Sequence, residues 1–201
     1  EMKIAVLAVD PTRRRTGGAL LGDRIRMNAV SDPRVFMRSL ATRQANLALS
    51  PHVASAVDLV KAAGYDLVIL ETSGIGQADT EIVDHSDLTL YVMTPEYGAA
   101  SQLEKVDMLD FADLVVVNKA DRRGAEDAVR DVRKQYRRNH AEFDEADENL
   151  PIYPTVASHF NDAGVNHFYH KLMERIERLT EGQFVSTIDL PTDHGGEQPA
   201  I

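Results

Sequence analysis

Short runs of apolar residues without polar alternation recur along the chain and predict strands. The runs are rich in Val, Ile and Leu and cover residues 4–9, 67–70, 88–93, 114–117 and 152–156. Strands that are covered on both faces of a parallel sheet have this continuous apolar pattern, whereas half-exposed strands alternate with polar residues. We therefore predict buried strands of a parallel sheet at these positions.

Helical spacing of apolar residues fills the stretches between these runs. The predicted helices cover residues 48–63, 99–111, 124–140 and 164–179. Alternation of strands and helices predicts an α/β fold, with a mostly parallel, doubly wound sheet flanked by helices. An acidic insertion at 142–149 and a polar tail after residue 180 complete the pattern. We expect one domain over residues 1–180 and a linker towards a following domain over 181–201.

Polar or small residues directly follow each predicted strand. In an open parallel sheet, ligands bind beyond the carboxyl ends of the strands. The positions that this rule selects are 10–11, 71–74, 94–96, 118–121 and 157–158. This edge of the sheet is therefore the predicted binding site.

Residues 118–121 form the most specific of these segments. They are Asn118, Lys119, Ala120 and Asp121. A carboxylate at the fourth position can accept hydrogen bonds from both the ring N–H and the exocyclic amine of guanine, and adenine lacks that pair of donors. The Lys stem can lie over the base, and the Asn amide can brace the loop. A chance match in a charged loop is the alternative, but the position directly after a buried strand favours guanine recognition.

Acidic residues at two other strand ends indicate a magnesium site. Glu71 follows the run 67–70, and a glycine three residues later lets a backbone N–H approach a terminal phosphate. Asp10 and Asp23 flank a segment rich in Gly and Arg, and two carboxylates suit a magnesium–phosphate complex. Arg26 could reach a phosphate. A surface loop with a helix N-cap explains the segment around Asp23 equally well.

Length, net charge and the absence of cysteine limit the classes of partner and the kinds of site that we expect. The 201 residues suffice for one well-buried domain, and 22 basic against 32 acidic residues give a net charge of −10. This balance argues against nucleic acid and membrane partners. The chain has no cysteine, which excludes disulfides and thiolate metal sites, and we expect a cytoplasmic protein.

One expected motif is missing from the sequence. No G-x-x-x-x-G-K-[ST] segment occurs, so the amides and the lysine that cradle a β-phosphate have no counterpart. We expect the chain to be a piece of a longer polypeptide.

Several segments carry a family resemblance: residues 9–11 (Val-Asp-Pro), 15–18 (Arg-Thr-Gly-Gly), 22–27 and 71–77 (Glu-Thr-Ser-Gly-Ile-Gly-Gln). Together they resemble the MeaB/ArgK-type GTPases of the SIMIBI class, which are chaperones of adenosylcobalamin-dependent acyl-CoA mutases. The stretch 94–105 is similar to the segment called switch III in members fused to an isobutyryl-CoA mutase, where the GTPase domain lies between a cobalamin-binding domain and the mutase barrel. The resemblance covers about residues 3–180.

The resemblance implies a complete set of site residues. Mg²⁺ would be surrounded by Asp10, Asp23 and Glu71, with the Val9 carbonyl and Thr72 close by. Arg26 would contact GTP, and the guanine would be bound by residues 118–121 with help from Ala157 and Ser158. Residues 94–105 would relay the nucleotide state to the cobalamin-binding and mutase domains. Adenosylcobalamin would be bound by the mutase and not by this segment, and the intact protein would be a homodimer.

Three hypotheses follow. The first is the GTP-hydrolysing chaperone domain of a fused, coenzyme-B12-dependent isobutyryl-CoA mutase, which gates cofactor loading and protection. The second is a free-standing chaperone of methylmalonyl-CoA mutase, and the third is a degenerate interaction module that does not hydrolyse GTP. For catalysis, Gln77 is a candidate by position only, and no general base is identified.

Overall fold

The computed structural model describes residues 2–11, 28–42, 52–72, 80–98, 103 and 108–192. The chain divides into two compact units, Glu1–Ser86 and Asp87–Ile201, called here the first and the second unit. Each is described by itself.

The first unit contains a parallel sheet of three strands. They are β1 (Ile4–Pro11), β2 (Val35–Thr42) and β3 (Leu67–Thr72), and their order in the sheet is β2-β1-β3. Helix α1 (His52–Ala62) lies between β2 and β3 in the chain, and residues 43–51 before it are outside the described ranges. Short 3-10 turns lie at Asn28–Ser31 and Thr80–His85.

Strand β1 is buried on both faces. Alternate residues of β1 pack against the apolar side of α1, forming the cluster Ala5, Leu7, Val9, Val53, Val57 and Val60. The intervening residues Val6 and Ala8 pack with Met37 on the opposite face. The continuous apolar run at 4–9 therefore predicted this strand correctly, because neither of its faces meets water.

The second unit contains another parallel sheet of three strands. They are β4 (Leu90–Met93), β5 (Leu114–Asn118) and β6 (Ile152–Thr155), in the order β4-β5-β6. Its helices are α2 (Met108–Phe111), α3 (Ala125–His140) and α4 (Ala163–Leu179), and a 3-10 turn lies at Pro95–Tyr97. The core of this unit is Met93, Leu103, Leu109, Ala112, Val115, Val117, Val129, Val132, Tyr136, Leu150 and Ile152.

The parallel α/β fold class is confirmed, and so are the predicted helices at 124–140 and 164–179, each to within a residue. The predicted helix 48–63 is described from His52 to Ala62. Of the predicted helix 99–111, only residue 103 and the turn Met108–Phe111 lie within the described residues. Strand β2 was not predicted, because Arg38 and Ser39 interrupt its apolar residues, which therefore form neither a continuous apolar run nor a regular alternation.

The acidic insertion 142–149 is an ordered loop fastened to α3. Arg137 donates to the backbone carbonyl of Glu145 at 2.7 Å and pairs with Asp147. Arg133 pairs with the same carboxylate at 3.2 Å. Arginine side chains of α3 therefore hold the acidic insertion against the helix. No helix in the described part of the chain is long and apolar enough to cross a membrane.

Candidate functional site

The recognition loop, residues 118–121, follows β5 and is tied to the end of β6. The Asn118 side-chain oxygen accepts hydrogen bonds from the Ala157 backbone N–H at 3.1 Å and from the Thr155 hydroxyl at 3.3 Å. The Ala120 N–H donates to the Thr155 carbonyl at 3.0 Å. Parallel pairing sets Asn118 opposite Thr155, which makes these contacts possible. The loops that follow two neighbouring strands are therefore held together by one amide side chain.

The backbone of the recognition loop takes an uncommon conformation at Lys119. Its φ is 62°, in the left-handed region that residues with a Cβ seldom occupy. Such a residue costs of order 1–3 kcal/mol and persists only where surrounding contacts enforce it. Here the Lys119 carbonyl accepts from the Arg122 N–H at 3.1 Å, and the neighbouring Ala120 is anchored to β6. Strain held in this way is typical of binding loops.

The two charged side chains of the recognition loop are open to a ligand. Lys119 and Asp121 are both exposed, and neither makes a side-chain hydrogen bond or ion pair with another residue in the described ranges. Ala157 and Ser158 are exposed beside them, but the Ala157 N–H is already used by Asn118. The structure therefore separates a bracing residue, Asn118, from residues whose polar atoms face outward.

The segment that follows β6, residues 156–162 and called here the β6 loop, depends on a buried carboxylate. Asp162 is 5% exposed, and its Oδ1 accepts from the Val156 N–H at 3.0 Å and from the Val165 N–H at 2.9 Å. The second bond caps the N-terminus of α4. One oxygen thus fixes both ends of the loop.

Glycine 164 lets α4 approach β6 closely. A Cβ built at Gly164 would lie 2.1 Å from the backbone oxygen of Pro154, which is far inside van der Waals contact. Neither Asp162 nor Gly164 was predicted from the sequence as part of the site. A signal for Asp162 exists, since Asp directly before an apolar-periodic stretch indicates an N-cap.

An ion pair joins the recognition loop region to the segment after β4. Arg122 donates to Glu96 at 2.7 Å, and both side chains are half exposed. The pKa of Glu96 is lowered to about 2, first by a hydrogen bond from the Thr94 side chain, then by its own backbone N–H and by Arg122. Of the predicted relay segment 94–105, residues 94–98 and 103 are described, and Glu96 contacts the residue next to Asp121.

The predicted magnesium ligands belong to the first unit. The register of β1 and β3 sets Val9 opposite Thr72 and Ala8 opposite Glu71, at the carboxyl ends of both strands. Glu71 is exposed and Thr72 is half-buried, so oxygen donors of the kind that Mg²⁺ prefers lie at this edge. The backbone of Asp10 continues β1 directly after Val9.

The rest of that ligand set lies outside the described residues. This applies to the side chain of Asp10, to Asp23 and Arg26, and to the catalytic candidate Gln77. Within the ranges that the structure describes, no group of three or more His, Cys, Asp or Glu residues is arranged to hold a metal ion. The donor chemistry of Glu71 and Thr72 fits a magnesium ion, while the full set stays a prediction.

A family profile matches nearly the whole chain, and curated relatives match most of it. The family profile "Methylmalonyl Co-A mutase-associated GTPase MeaB" matches residues 1–187. A protein named fused isobutyryl-CoA mutase from Geobacillus kaustophilus is 56% identical over 178 residues, which are 89% of this chain and 16% of that protein. The protein of the same name from Cupriavidus metallidurans is 59% identical over 172 residues, covering 86% of this chain and 16% of its own length. This chain thus spans about a sixth of these curated relatives.

More distant matches are shorter proteins. A putative GTPase of Pyrococcus horikoshii is 38% identical over 179 residues, covering 89% of this chain and 56% of its own length. Among solved structures, HypB from Helicobacter pylori in complex with nickel matches with a TM-score of 0.60 and 20% identity, over 94% of this chain and 80% of that one. At this identity the similarity establishes the fold alone.

Proposed function

The chain belongs to the MeaB family of methylmalonyl-CoA mutase-associated GTPases, and we propose that it is the GTP-binding and GTP-hydrolysing chaperone domain of an adenosylcobalamin-dependent isobutyryl-CoA mutase. The observation that carries the proposal is the contrast in identity. Relatives named fused isobutyryl-CoA mutase are 56% and 59% identical, whereas the putative GTPase of Pyrococcus horikoshii is 38% identical. In this function, GTP turnover gates the loading and protection of the mutase cofactor.

Guanine recognition rests on the recognition loop. The exposed Asp121 carboxylate accepts from the ring N–H and the exocyclic amine of the base, and the aliphatic stem of Lys119 covers its plane. Asn118 contributes indirectly, because its amide oxygen is engaged by Ala157 and Thr155. The β6 loop borders the base through Ala157 and Ser158.

The first unit supplies the phosphate-facing groups in this proposal. Val9, Asp10, Asp23, Glu71 and Thr72 would hold Mg²⁺. The ion would neutralise charge on the phosphates, and hydrolysis by such enzymes depends mainly on positioning and charge neutralisation. Arg26 would contact the nucleotide. Gln77 is the residue proposed to orient the attacking water.

The partners follow from the same comparison. Because the fused isobutyryl-CoA mutases of Geobacillus and Cupriavidus are about six times longer than the segment that matches, we propose that the chain acts beside cobalamin-binding and mutase domains, within a homodimer. The segment that includes Glu96 would carry the nucleotide state to those domains. A free-standing GTPase of the Pyrococcus type is the alternative, and the lower identity disfavours it.

Calorimetric titration with GTP and ATP, each with Mg²⁺, tests the function. We expect GTP to bind and ATP to give no heat, and Asp121→Asn to weaken GTP binding at least tenfold, about 1.4 kcal/mol or more. Asp144→Asn is the matched control, because Asp144 is an exposed aspartate in the acidic insertion. It should bind GTP like the unmodified chain.

The sequence lacks a G-x-x-x-x-G-K-[ST] motif, so the titration needs a second arm. A polypeptide that carries a phosphate-binding loop ahead of residue 1 is titrated in parallel. Binding by the extended chain alone assigns the cradle to that loop. If neither chain binds GTP with Mg²⁺, the protein is a non-hydrolysing interaction module and the proposal is wrong.

A further inference from the structure

The segment 183–192, called here the strap, folds back along α4. The Pro191 carbonyl accepts from the Asn166 side chain at 2.7 Å, and the Leu190 carbonyl accepts from His170 Nε2 at 3.0 Å. Ser186 and Tyr169 share a hydrogen bond of 2.9 Å between their hydroxyls. Tyr169 and His170 follow Asn166 by three and four positions, so the three side chains lie on one side of α4. The strap is therefore docked by side chains of a single helix face.

Asn166 differs from the other two residues because it also contacts the β6 loop. It is 4% exposed, and its amide nitrogen donates to the Asn161 side-chain oxygen at 2.9 Å as well as to Pro191. An amide nitrogen carries two hydrogens, so both are used. One buried side chain thus bridges the strap and the loop that precedes α4.

The bridge continues to the recognition loop. Asn161 adjoins Asp162, whose carboxylate holds the Val156 N–H, and Ala157 in turn is held by Asn118. Every link of this path is a hydrogen bond or a peptide bond between described residues. A displacement of the strap at Pro191 therefore has a continuous route to the loop that carries Asp121.

We propose that Asn166 is a positioning residue for guanine recognition, and that it couples docking of the strap to the conformation of the β6 loop. The inference rests on the proposed function, since it takes guanine as the ligand of the recognition loop. Coupling between two sites is reciprocal. Occupation of the guanine site therefore strengthens strap docking, and release of the strap weakens nucleotide binding.

A purely structural role for Asn166 predicts a different outcome. A buried amide that only satisfies its neighbours stabilises both segments without linking them to nucleotide. Asn166→Asp distinguishes the two roles, because aspartate has the same shape but cannot donate to either acceptor when ionised. His170→Ala is the matched control. His170 lies on the same helix, and its hydrogen bond goes to the strap and not to the β6 loop.

Hydrogen exchange on the full 201-residue chain, with and without GDP, tests the inference. We expect Asn166→Asp to accelerate amide exchange at least fivefold in both the strap and residues 156–161. His170→Ala should accelerate exchange in the strap only. GDP should slow exchange in the strap of the unmodified chain. This response of the strap should disappear in Asn166→Asp.

The possible failures are distinct. If GDP protects residues 118–121 and 156–161 while the strap does not respond, the coupling is refuted and the guanine site stands. If GDP changes no segment of the 201-residue chain, the same exchange is measured on the polypeptide that carries a phosphate-binding loop ahead of residue 1. If GDP changes no segment there either, the proposed function fails and the inference falls with it. Should Asn166→Asp not fold, Asn161→Gly removes only the loop-side acceptor, and glycine tolerates the φ of 55° found there. Unchanged strap exchange in that variant also refutes the coupling.

Discussion

Asp162 offers the sharpest test of how the candidate guanine-binding site is held in place. Its Oδ1 accepts two backbone N–H groups, and the residue is 5% exposed. In Asp162→Ala, loss of the N-cap costs about 1 kcal/mol, and the Val156 N–H left unpaired in a half-buried position costs about 1–3 kcal/mol. The expected loss of stability is therefore roughly 2–4 kcal/mol.

Asp162→Asn is the matched control for that variant. Asparagine keeps a side-chain oxygen of the same reach and caps helices about as well as aspartate, so it should cost less than about 1 kcal/mol. Both variants lose the negative charge, but only Asp162→Ala loses the accepting oxygen, so the comparison separates the effect of that oxygen from the effect of the charge.

Urea unfolding followed by circular dichroism measures the difference. With a slope near 2 kcal/mol per molar urea, the expected loss lowers the midpoint of Asp162→Ala by about 1–2 M at unchanged slope. Hydrogen exchange should locate the weakening in residues 156–165. Equal midpoints for Asp162→Ala, Asp162→Asn and the unmodified chain would refute the reasoning, since the two bonds would then contribute nothing net.

Three further predictions address packing, base selection and pH. Gly164→Ala should lower the free energy of unfolding by about 1–3 kcal/mol, measured as a lower urea midpoint, because the new Cβ would lie 2.1 Å from the Pro154 oxygen. Asp121→Asn should prefer XTP to GTP in competition binding, because xanthine has an oxygen where guanine has the exocyclic amine and an asparagine NH₂ can donate to it. Burial raises the pKa of Tyr136 to about 12, with Glu142 adding to the rise, so the stability that its neutral phenol contributes is full below pH 10 and lost between pH 10 and about 12. Tyr136→Phe should flatten part of that alkaline decline in urea midpoints measured from pH 9 to 12.

Each of these has a clear contrary result. An unchanged midpoint for Gly164→Ala would mean that α4 is not held against β6. If Asp121→Asn loses GTP without gaining XTP, the carboxylate does not read the edge of the base that carries the amine. An alkaline decline as steep in Tyr136→Phe as in the unmodified chain would assign the effect to other groups, of which Tyr153 is one, since burial raises its pKa too.

The sequence by itself determined the local elements and the type of chemistry. Continuous apolar runs at 4–9 and 114–117 marked strands whose two faces are both covered, and helical periodicity marked α3 and α4. These predictions succeeded because periodicity depends only on which faces of an element are buried. The segment 118–121 carries its donor and acceptor pattern in adjacent residues, so the guanine hypothesis could be formed without a structure.

Only the tertiary structure decided which polar groups meet. Asn118 and Ala157 are 39 positions apart and meet because β5 and β6 pair in parallel. Asn166 reaches Pro191, 25 positions away, because the strap returns along α4. The φ of 62° at Lys119 likewise depends on contacts with β6 rather than on the preference of lysine. A pattern along the chain reports burial, but the partner of a buried donor is set by strand order and helix position, which no local pattern contains.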